Sequence, residues 1–388
     1  MVAREKKLHR FWRKVWHPLS GDSGPHQPDY VLLILTGIII FFGLLMLSSA
    51  TSVKGFQEQG DTYYFIKQQM TRGLIPGVIL YLLFIRIPFI KLKKFNWLWL
   101  AATLVLLIIV FIPGLQVIIN GSKSWVSIAG VTLQTSEMAK LTFIIYLAIW
   151  LESKQKSIKD FRHTFIPFLI LLGVVCGLIL LQPDMGTMLI FLMVATIMYF
   201  TAGMKLSHIG ILAGLSGIVV AIMVKLAPYR LERLVTFLRP DFDTQGAGYQ
   251  LRQALIAVGS GGWFGLGLGQ SRQKFNYLPE VAADSIFAII AEEWGFIFCL
   301  FLLALYLMVC VRGLRIAKNA PDTFSKLVTT GIISWITIQS IVNIGAIIGI
   351  MPLTGLPLPF ISLGGSNLAV VMMALAIVTN ISKYTKTA

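Results

Sequence analysis

The chain has 388 residues, of which 56% are hydrophobic and only 13% are charged. Soluble globular proteins carry roughly 25% charged residues, and a soluble chain this apolar could not cover its surface with polar side chains. The net charge of +16 fits the Lys and Arg excess of cytoplasmic loops in membrane proteins, and no soluble stretch is long enough to bind nucleic acid. The three cysteines lie in apolar stretches without metal-ligand or disulfide spacing. Composition therefore excludes a soluble enzyme and indicates an integral membrane protein.

Apolar runs of the length that crosses a bilayer, about 17–25 residues each, recur along the chain. The first follows a basic segment and is as long as an uncleaved signal anchor. We predict an all-α polytopic membrane protein, in which residues 30–382 form one transmembrane domain between a tail of residues 1–29 and a tail of residues 383–388. The ten predicted spans are 30–50, 73–90, 96–113, 136–152, 163–182, 186–202, 206–226, 285–311, 327–350 and 366–382.

Basic residues are concentrated in both tails and in alternate connections between the spans. Because Lys and Arg near span ends stay in the cytoplasm, both termini are predicted to be cytoplasmic. The exception is a long outer loop at about 227–284, between spans seven and eight, which carries seven cations counted from Lys225. Loops above about 12–15 residues are usually functional or disordered, and the apolar stretches of this one predict that it is partly helical or re-enters the membrane.

Carboxylates at the start of the eighth span are the first candidates for chemistry. Asp284 follows Pro279 and lies beside the cations of the outer loop, where it could act as a general base. The competing interpretation is a helix N-cap, and one side chain could serve both roles. Glu292 and Glu293 lie two turns further in, and since intramembrane carboxylates rarely face lipid, we expect one to pair with Lys140 or a backbone donor.

Cations near the membrane are candidates for binding an anionic group. Arg230 and Arg233 are spaced to share a helix face, and arginine binds phosphate through two parallel hydrogen bonds. The alternative is a face exposed to solvent or to lipid headgroups. Lys140 follows Glu137 by one turn of the fourth span, so that it either pairs with this glutamate or points into a polar cavity.

Polar and glycine-rich segments add four further predictions. Asp184 caps the sixth span or faces the same cavity. Residues 259–269 lack the strand–turn–helix unit of a dinucleotide site, so their glycines predict tight turns and the approach of backbone amides to an anion. The loop 352–366 is too apolar for solvent and predicts a re-entrant segment, while Asn343 predicts an interhelical hydrogen bond.

Several motifs between residues 120 and 366 occur together in one known family. They are Asn120-Gly-Ser-Lys-Ser-Trp125, Gln134-Thr-Ser-Glu-Met-Ala-Lys140, Gln182-Pro-Asp-Met-Gly-Thr187, Gly248-Tyr-Gln250, Gly259-Ser-Gly-Gly262, Leu278-Pro-Glu-Val-Ala-Ala-Asp284 and Leu358-Pro-Phe-Ile-Ser-Leu-Gly-Gly-Ser366. With them the chain resembles the SEDS family (shape, elongation, division and sporulation), and the wording around 229–240 and 269–274 resembles FtsW-type division members more than RodA-type elongation members. Ser285 and Leu363 depart from the family pattern, which has Phe and Tyr there.

The resemblance implies a peptidoglycan glycosyltransferase that polymerises lipid II into glycan strands on the outer face of the bacterial cytoplasmic membrane. The family's catalytic aspartate falls on Asp284. The residues then expected to bind substrate are Arg230, Arg233, Lys274, Lys140, Gln253 and Ser366, and those expected to support the site are Glu137, Asp184, Glu293 and Asn343. The implied partners are the nascent glycan strand, a class B penicillin-binding protein, other division-complex membrane proteins and membrane lipids, with no nucleic acid.

The reaction expected is a single displacement, in which a sugar hydroxyl attacks the anomeric carbon and an isoprenyl pyrophosphate leaves with inversion. Cations, with or without a divalent Mg²⁺ or Mn²⁺, would stabilise the leaving group, and no other cofactor is expected. Four alternatives remain open: an elongation-type polymerase, a lipid II flippase or transporter, a non-catalytic scaffold, and a related lipid-linked sugar ligase. A flippase is disfavoured because the spans show no inverted repeat of broken helices.

Overall fold

The computed structural model describes residues 26–119, 121–128, 130–226, 235–238 and 246–385. In this part of the chain, each predicted span contains one main helix and the outer loop contributes α8, besides short helical turns at Ile90–Lys93 and at residues 235–238. The helices are α1 (Tyr30–Gln59), α2 (Tyr64–Gln69, the π-helical turn Met70–Leu74 and Ile75–Phe84), α3 (Asn96–Ile108), α4 (Thr135–Ser153), α5 (the π-helical turn Phe161–Phe165 and Ile166–Leu180), α6 (Met185–Ala202), α7 (Leu206–Leu226), α8 (Ala247–Ser260), α9 (Ile286–Lys318), α10 (Thr323–Ile347) and α11 (Gly365–Ser382).

Several helices are longer than their apolar cores. The structure continues α1 to Gln59 and α9 to Lys318, and α2 begins at Tyr64 rather than at residue 73. Hydropathy marks only the segment that lies in lipid, whereas the hydrogen-bonded helix runs on into the polar interface. Pro76 and Pro167 each stand second in an α-helical segment that follows a π-helical turn, because proline lacks the N–H that would close the normal turn.

Six of the described helices are long and apolar enough to cross a membrane by length and composition: α1, α5, α6, α9, α10 and α11. The segment Asn96–Phe111 and the first part of α7 are apolar but shorter. In α4, the charges of Glu137, Lys140 and Glu152 lower the hydropathy of a helix that has 19 residues. Two of these charges, on Glu137 and Lys140, are buried within the protein, so that α4 does not expose them to lipid.

A small antiparallel sheet between α3 and α4 is absent from the all-α prediction. Its strands, in spatial order, are β1 (Gln116–Ile119), β2 (Ser122–Ile128) and β3 (Val131–Gln134). Gly121 and Gly130 adopt φ values of 76° and 78° in the two tight hairpins, where positive φ favours glycine. The backbone N–H of Lys123 donates to the carbonyl of Gln182 at 3.2 Å, which attaches the sheet to the α5–α6 turn.

The segment between α10 and α11 is buried and non-helical, as predicted for a re-entrant loop. Leu358 is 0% exposed and Phe360 is 2% exposed. Two glycines let the loop approach the helices closely: a Cβ on Gly43 of α1 would lie 2.7 Å from the carbonyl oxygen of Phe360, and one on Gly186 of α6 would lie 2.8 Å from that of Thr354. The loop is therefore enclosed by protein, as non-helical backbone at membrane depth must be.

Both described ends of the chain lie at one face of the bundle. Arg312 at the end of α9 forms an ion pair with Asp29 before α1 at 2.7 Å. At the same end of the helices, Lys93 pairs with Glu152 at 2.9 Å and with Asp322 at 3.1 Å. The sheet, the re-entrant loop and the start of α9 lie at the opposite ends of these helices. Because both chain ends lie at one face, the structure agrees with the predicted even number of spans. Which of the two faces is cytoplasmic stays a prediction.

The glycine-rich segment packs against a break in α9. Gly295 has φ 76° and ψ −177° and interrupts the helix. The backbone N–H groups of Leu266 and Gly267 donate to the carbonyls of Glu292 and Glu293 at 2.9 and 3.0 Å. The glycines do allow the close backbone approach that we expected, but the backbone of this segment approaches helix α9. The prediction that these amides bind an anion is wrong for Leu266 and Gly267, because their N–H groups already donate to carbonyls of α9.

Candidate active site

Asp284 lies immediately before α9, at the face of the bundle opposite the chain ends. Its side chain is 9% exposed, and the amide Nε2 of Gln250 on α8 donates to its two carboxylate oxygens at 3.3 and 3.4 Å. The same amide lies 3.0 Å from Oγ of Ser285, the residue that stands where the resemblance predicts phenylalanine. Ser285 is the N-cap residue of α9 and makes no side-chain cap hydrogen bond. The N-cap interpretation of Asp284 is therefore wrong, and its carboxylate faces α8.

The backbone around Asp284 is held by α10 and the re-entrant loop. Asn343, which is buried in α10, donates from Nδ2 to the carbonyl of Asp284 at 2.8 Å and to the carbonyl of Leu356 at 2.7 Å. From the loop, the hydroxyl of Ser362 donates to the carbonyl of Ala283. Asn343 thus forms hydrogen bonds, but the prediction of an interhelical bond is wrong, because its partners are the two non-helical segments that meet at the candidate base.

The position equivalent to the family's tyrosine, Leu363, contributes through its backbone. Its N–H donates to the carbonyl of Ala282 at 2.7 Å, a bond that does not depend on the side chain. Gln69 of α2 holds the other side of this segment, because its side chain accepts from the N–H of Gly364 at 2.9 Å and donates to the carbonyl of Ser362 at 3.3 Å. The substitution at 363 therefore leaves the backbone attachment of the loop to the Asp284 segment in place.

Lys140 is enclosed in the bundle core rather than directed into an open cavity. It is 2% exposed, and its Nζ donates to Glu137 and to Oε1 of Gln339, both at 2.8 Å. Asn367 of α11 donates to the second oxygen of Glu137 at 2.8 Å. The amide of Gln339 donates in turn to the carbonyl of Pro357 in the re-entrant loop at 2.8 Å. Of the two interpretations of Lys140, the internal pair with Glu137 is the one observed.

Lys274 is also buried and paired. Its Nζ donates to the carbonyl of Gly269 at 2.6 Å and to Oε1 of Glu293 at 3.1 Å, while Ser49 of α1 donates to both oxygens of Glu293 at 2.8 Å. The neighbouring carboxylate of Glu292 accepts the backbone N–H of Arg272 at 3.0 Å. The expectation of a pair with Lys140 is wrong, whereas the expected backbone donor is present. These carboxylates fasten the outer loop to α9, about 12 Å along the helix from Asp284.

The other candidates lie around the sheet or on α8. Asp184 caps α6 by accepting from the N–H of Thr187 at 2.9 Å, and Ser124 of β2 donates to its second oxygen at 3.2 Å. Ser366 accepts from the N–H of Gln134 at 3.2 Å, which joins α11 to β3. The remaining candidates are Gln253, half-buried on α8, and Arg230 and Arg233, which fall outside the described residues.

The structure brings together part of the predicted site. Asp284 and Asn343 are adjacent, whereas Lys140 and Lys274 each neutralise a buried glutamate. Sequence reasoning missed Gln250 as a partner of Asp284, although it lies one helical turn before the predicted Gln253 and belongs to a quoted motif. Among the described residues, no group of three His, Cys, Asp or Glu is arranged to hold a metal ion.

A helical bundle with a buried re-entrant loop and a carboxylate just before α9 is the architecture of a polytopic membrane protein, with the candidate site at one end of the bundle. Residues 29–387 match the model of the FtsW, RodA and SpoVE family, described as cell cycle protein. The chain belongs to this family.

Two relatives illustrate the similarity. The chain is 41% identical over 362 residues to stage V sporulation protein E of Bacillus subtilis, with 93% of this chain and 98% of that protein covered. It is 38% identical over 364 residues to a probable peptidoglycan glycosyltransferase FtsW of Trichlorobacter lovleyi, with 93% and 94% covered. The predicted family membership is confirmed, and the FtsW-named relatives support the FtsW-like assignment.

Solved structures share the fold. One belongs to a study of the structural coordination of polymerization and crosslinking by a peptidoglycan synthase complex, with a TM-score of 0.75, 26% identity, and 92% of this chain and 97% of that chain covered. Another is an aspartate-to-alanine variant of the rod shape determining protein RodA of Thermus thermophilus, with a TM-score of 0.69, 26% identity, and 93% and 99% covered. The fold prediction of a mostly helical, polytopic membrane protein is confirmed. At the level of the family, so is the glycosyltransferase class.

Proposed function

We propose that this chain polymerises lipid II into glycan strands and that Asp284 is the general base. The observation that carries this proposal is a largely buried carboxylate just before α9 whose side chain and backbone are both held in place. Gln250 bonds the carboxylate, and Asn343 bonds the carbonyl of the same residue. Relatives named probable peptidoglycan glycosyltransferase support the substrate class.

In the proposed reaction, the 4-hydroxyl of the acceptor sugar attacks the anomeric carbon of the donor. The new C–O bond forms as the bond to the isoprenyl pyrophosphate breaks, and the hydroxyl proton passes to Asp284. General-base assistance of this kind is worth typically 10²- to 10⁴-fold in rate. Glu292 and Glu293 lie two turns further along α9 and are bonded to the outer loop, so they are not placed to act as nucleophiles. A single displacement that converts an α-linked donor into a β-linked product is the consistent course.

The departing pyrophosphate requires positive charge. Lys140 and Lys274 are each paired with a buried glutamate, which reduces the charge that either can offer. We therefore assign the pyrophosphate to cations of the outer loop. Arg252 and Arg272 are exposed and make no ion pair within the described part of the chain, and Arg230 and Arg233 retain their predicted role.

The cellular setting follows from the family and from the charge distribution. We propose that both termini are cytoplasmic, that the site faces the outside of the bacterial cytoplasmic membrane, and that the protein acts in septal wall synthesis. A class B penicillin-binding protein is the proposed partner, since a similar fold occurs in a complex that coordinates polymerization and crosslinking. The match to stage V sporulation protein E favours, as a second candidate, the same chemistry during sporulation.

A lipid II flippase is the competing function, and one assay separates the two. Purified full-length protein, with its penicillin-binding partner, is mixed with lipid II in detergent, where there is no bilayer to cross. The proposal predicts glycan strands of several disaccharide units, visible by gel electrophoresis. A flippase or a scaffold would leave the substrate unpolymerised, and that result would overturn the proposal.

A further inference from the structure

A cavity of about 510 Å³ lies at the face of the bundle that holds both chain ends. Tyr30 and Val31 at the start of α1 line one side, and Arg312, Arg315 and Asn319 at the end of α9 line the other. Sites for small ligands typically enclose 300–1,000 Å³. The cavity is thus large enough for a ligand, and it lies at the opposite end of α9 from Asp284.

The position of the cavity along α9 corresponds to the depth of lipid headgroups. The helix rises about 1.5 Å per residue, so that residues 284 and 312, which lie on either side of the break at Gly295, are at most about 42 Å apart. A bilayer with its headgroup regions is about 40–45 Å thick. α9 is thus long enough to cross the membrane, and Arg312 and the cavity at its end lie at the depth of the headgroups on the side of the chain ends.

The charges that line the cavity favour an anion. Asp29 is its acidic member, and both oxygens of this carboxylate are engaged, one by the N–H of Leu32 at 3.0 Å and the other by Nε of Arg312 at 2.7 Å. The ion pair holds the Arg312 guanidinium in place and leaves its two terminal nitrogens without a partner among the described residues. Arg315 is exposed and makes no ion pair in the same part of the chain. Two guanidinium forks therefore face the cavity, and such forks match phosphate oxygens.

Apolar side chains continue from the cavity towards the middle of the membrane. Ile34 and Ile38 follow Tyr30 at intervals of four residues along α1, and both are exposed. Leu307 and Val311 precede Arg315 at the same interval on α9 and are exposed as well. Residues four apart lie on one helix face, so each helix carries a continuous stripe that could contact an acyl chain.

We infer that this cavity binds the headgroup of an anionic phospholipid from the leaflet on the side of the chain ends. Arg315 and Arg312 contact the phosphate, and the acyl chains lie along the stripes of α1 and α9. Basic pockets between membrane helices bind acidic lipid headgroups in this manner. The apolar stripes favour a lipid over free phosphate, because only a lipid has acyl chains that could contact them. The inference does not rest on the proposed catalytic function.

The test counts lipids bound to the purified full-length protein by native mass spectrometry. Phosphatidylglycerol and phosphatidylcholine with the same acyl chains are titrated separately. Both lipids carry the phosphate, but the quaternary ammonium of phosphatidylcholine would lie beside two guanidinium groups that repel it. We therefore expect the first phosphatidylglycerol to bind about tenfold more tightly than phosphatidylcholine, and Arg315→Gln to remove most of that preference. Arg315→Lys keeps the charge without the fork and is expected to bind with intermediate affinity.

The matched control is Lys318→Gln, which removes an exposed charge from the same last turn of α9 without touching the cavity lining. It is expected to retain the preference. Equal binding of both lipids, or an equal loss of the preference in the Arg315→Gln and Lys318→Gln proteins, would indicate only general electrostatic attraction to the surface. Either result would overturn the proposed binding site. Displacement of the lipid by millimolar inorganic phosphate would overturn the assignment to a lipid.

Discussion

At the scale of single residues, the candidate base is defined by what surrounds it. Asp284 shares its environment with an amide that reaches both of its oxygens and a serine hydroxyl at 3.4 Å. Donors of this kind fix the direction of the carboxylate lone pairs, and a base must be aimed at the proton that it takes. The efficiency of Asp284 should therefore depend on Gln250.

We predict that Gln250→Ala lowers kcat for lipid II polymerisation by about tenfold or more, since a hydrogen bond to a charged group is worth roughly 1.5–3 kcal/mol. Gln253→Ala makes the same truncation one turn further along α8, where the side chain has no hydrogen-bond partner among the described residues. If Gln253 contacts substrate, as its sequence position suggests, this variant raises KM and leaves kcat unchanged. Steady-state kinetics on both proteins measure the difference, and an unchanged kcat in Gln250→Ala would contradict the positioning role.

The buried pair of Lys140 and Glu137 allows its structural and substrate-binding roles to be separated. Lys140→Met leaves Glu137 uncompensated in the core and is expected to cost about 3–5 kcal/mol of stability. The double variant Glu137→Gln, Lys140→Met removes both charges and is expected to recover most of this loss in thermal unfolding. Recovery of polymerisation in the double variant would mark a structural pair, whereas a folded but inactive protein would support the substrate contact. A single variant as stable as the wild type would contradict the pair.

At the scale of secondary-structure elements, the sequence predicted the helices better than the connections. Long apolar runs indicate helices that cross the membrane, so the order of the ten spans could be predicted. The loop 352–366 could be predicted to re-enter because it is too apolar for solvent. The sheet was missed because its strands have four to seven residues, although Asn120-Gly121 is a hairpin signal. The partners of Lys140, Lys274 and Asp284 depend on which helices meet, and hydropathy carries no such information.

The re-entrant loop and α10 act as a support for the segment before α9, and Asn343 is the residue that joins them. Asn343→Ala removes two buried hydrogen bonds and leaves two carbonyls unsatisfied, at about 1–3 kcal/mol each. We expect kcat to fall at least about tenfold while a folded protein is still recovered. Thr330→Ala is the matched control, since Thr330 is also buried on α10 and its hydroxyl donates only to the carbonyl of Lys326 in its own helix among the described residues. Equal effects of the two substitutions would indicate general destabilisation of α10 instead.

At the scale of the whole molecule, the chain separates a face that holds its ends from a face that holds the candidate site. We predict that Gln59→Cys, an exposed position at the end of α1, reacts with a membrane-impermeant maleimide in intact cells. A cysteine at Lys156, exposed between α4 and α5, should react only after permeabilisation. Cys310, which is half-buried, is replaced by Ala to lower the background. The reverse pattern would place Asp284 in the cytoplasm and contradict the proposed location.

Polymerisation of lipid II by the Asp284→Asn protein tests the central claim most directly. Asparagine keeps the shape of the side chain but cannot accept the hydroxyl proton, so the rate should fall by roughly 10²- to 10⁴-fold. Glu58→Gln, which neutralises an exposed carboxylate at the end of α1 on the same face, should polymerise at the wild-type rate. Wild-type polymerisation by the Asp284→Asn protein would show that this carboxylate is not the base.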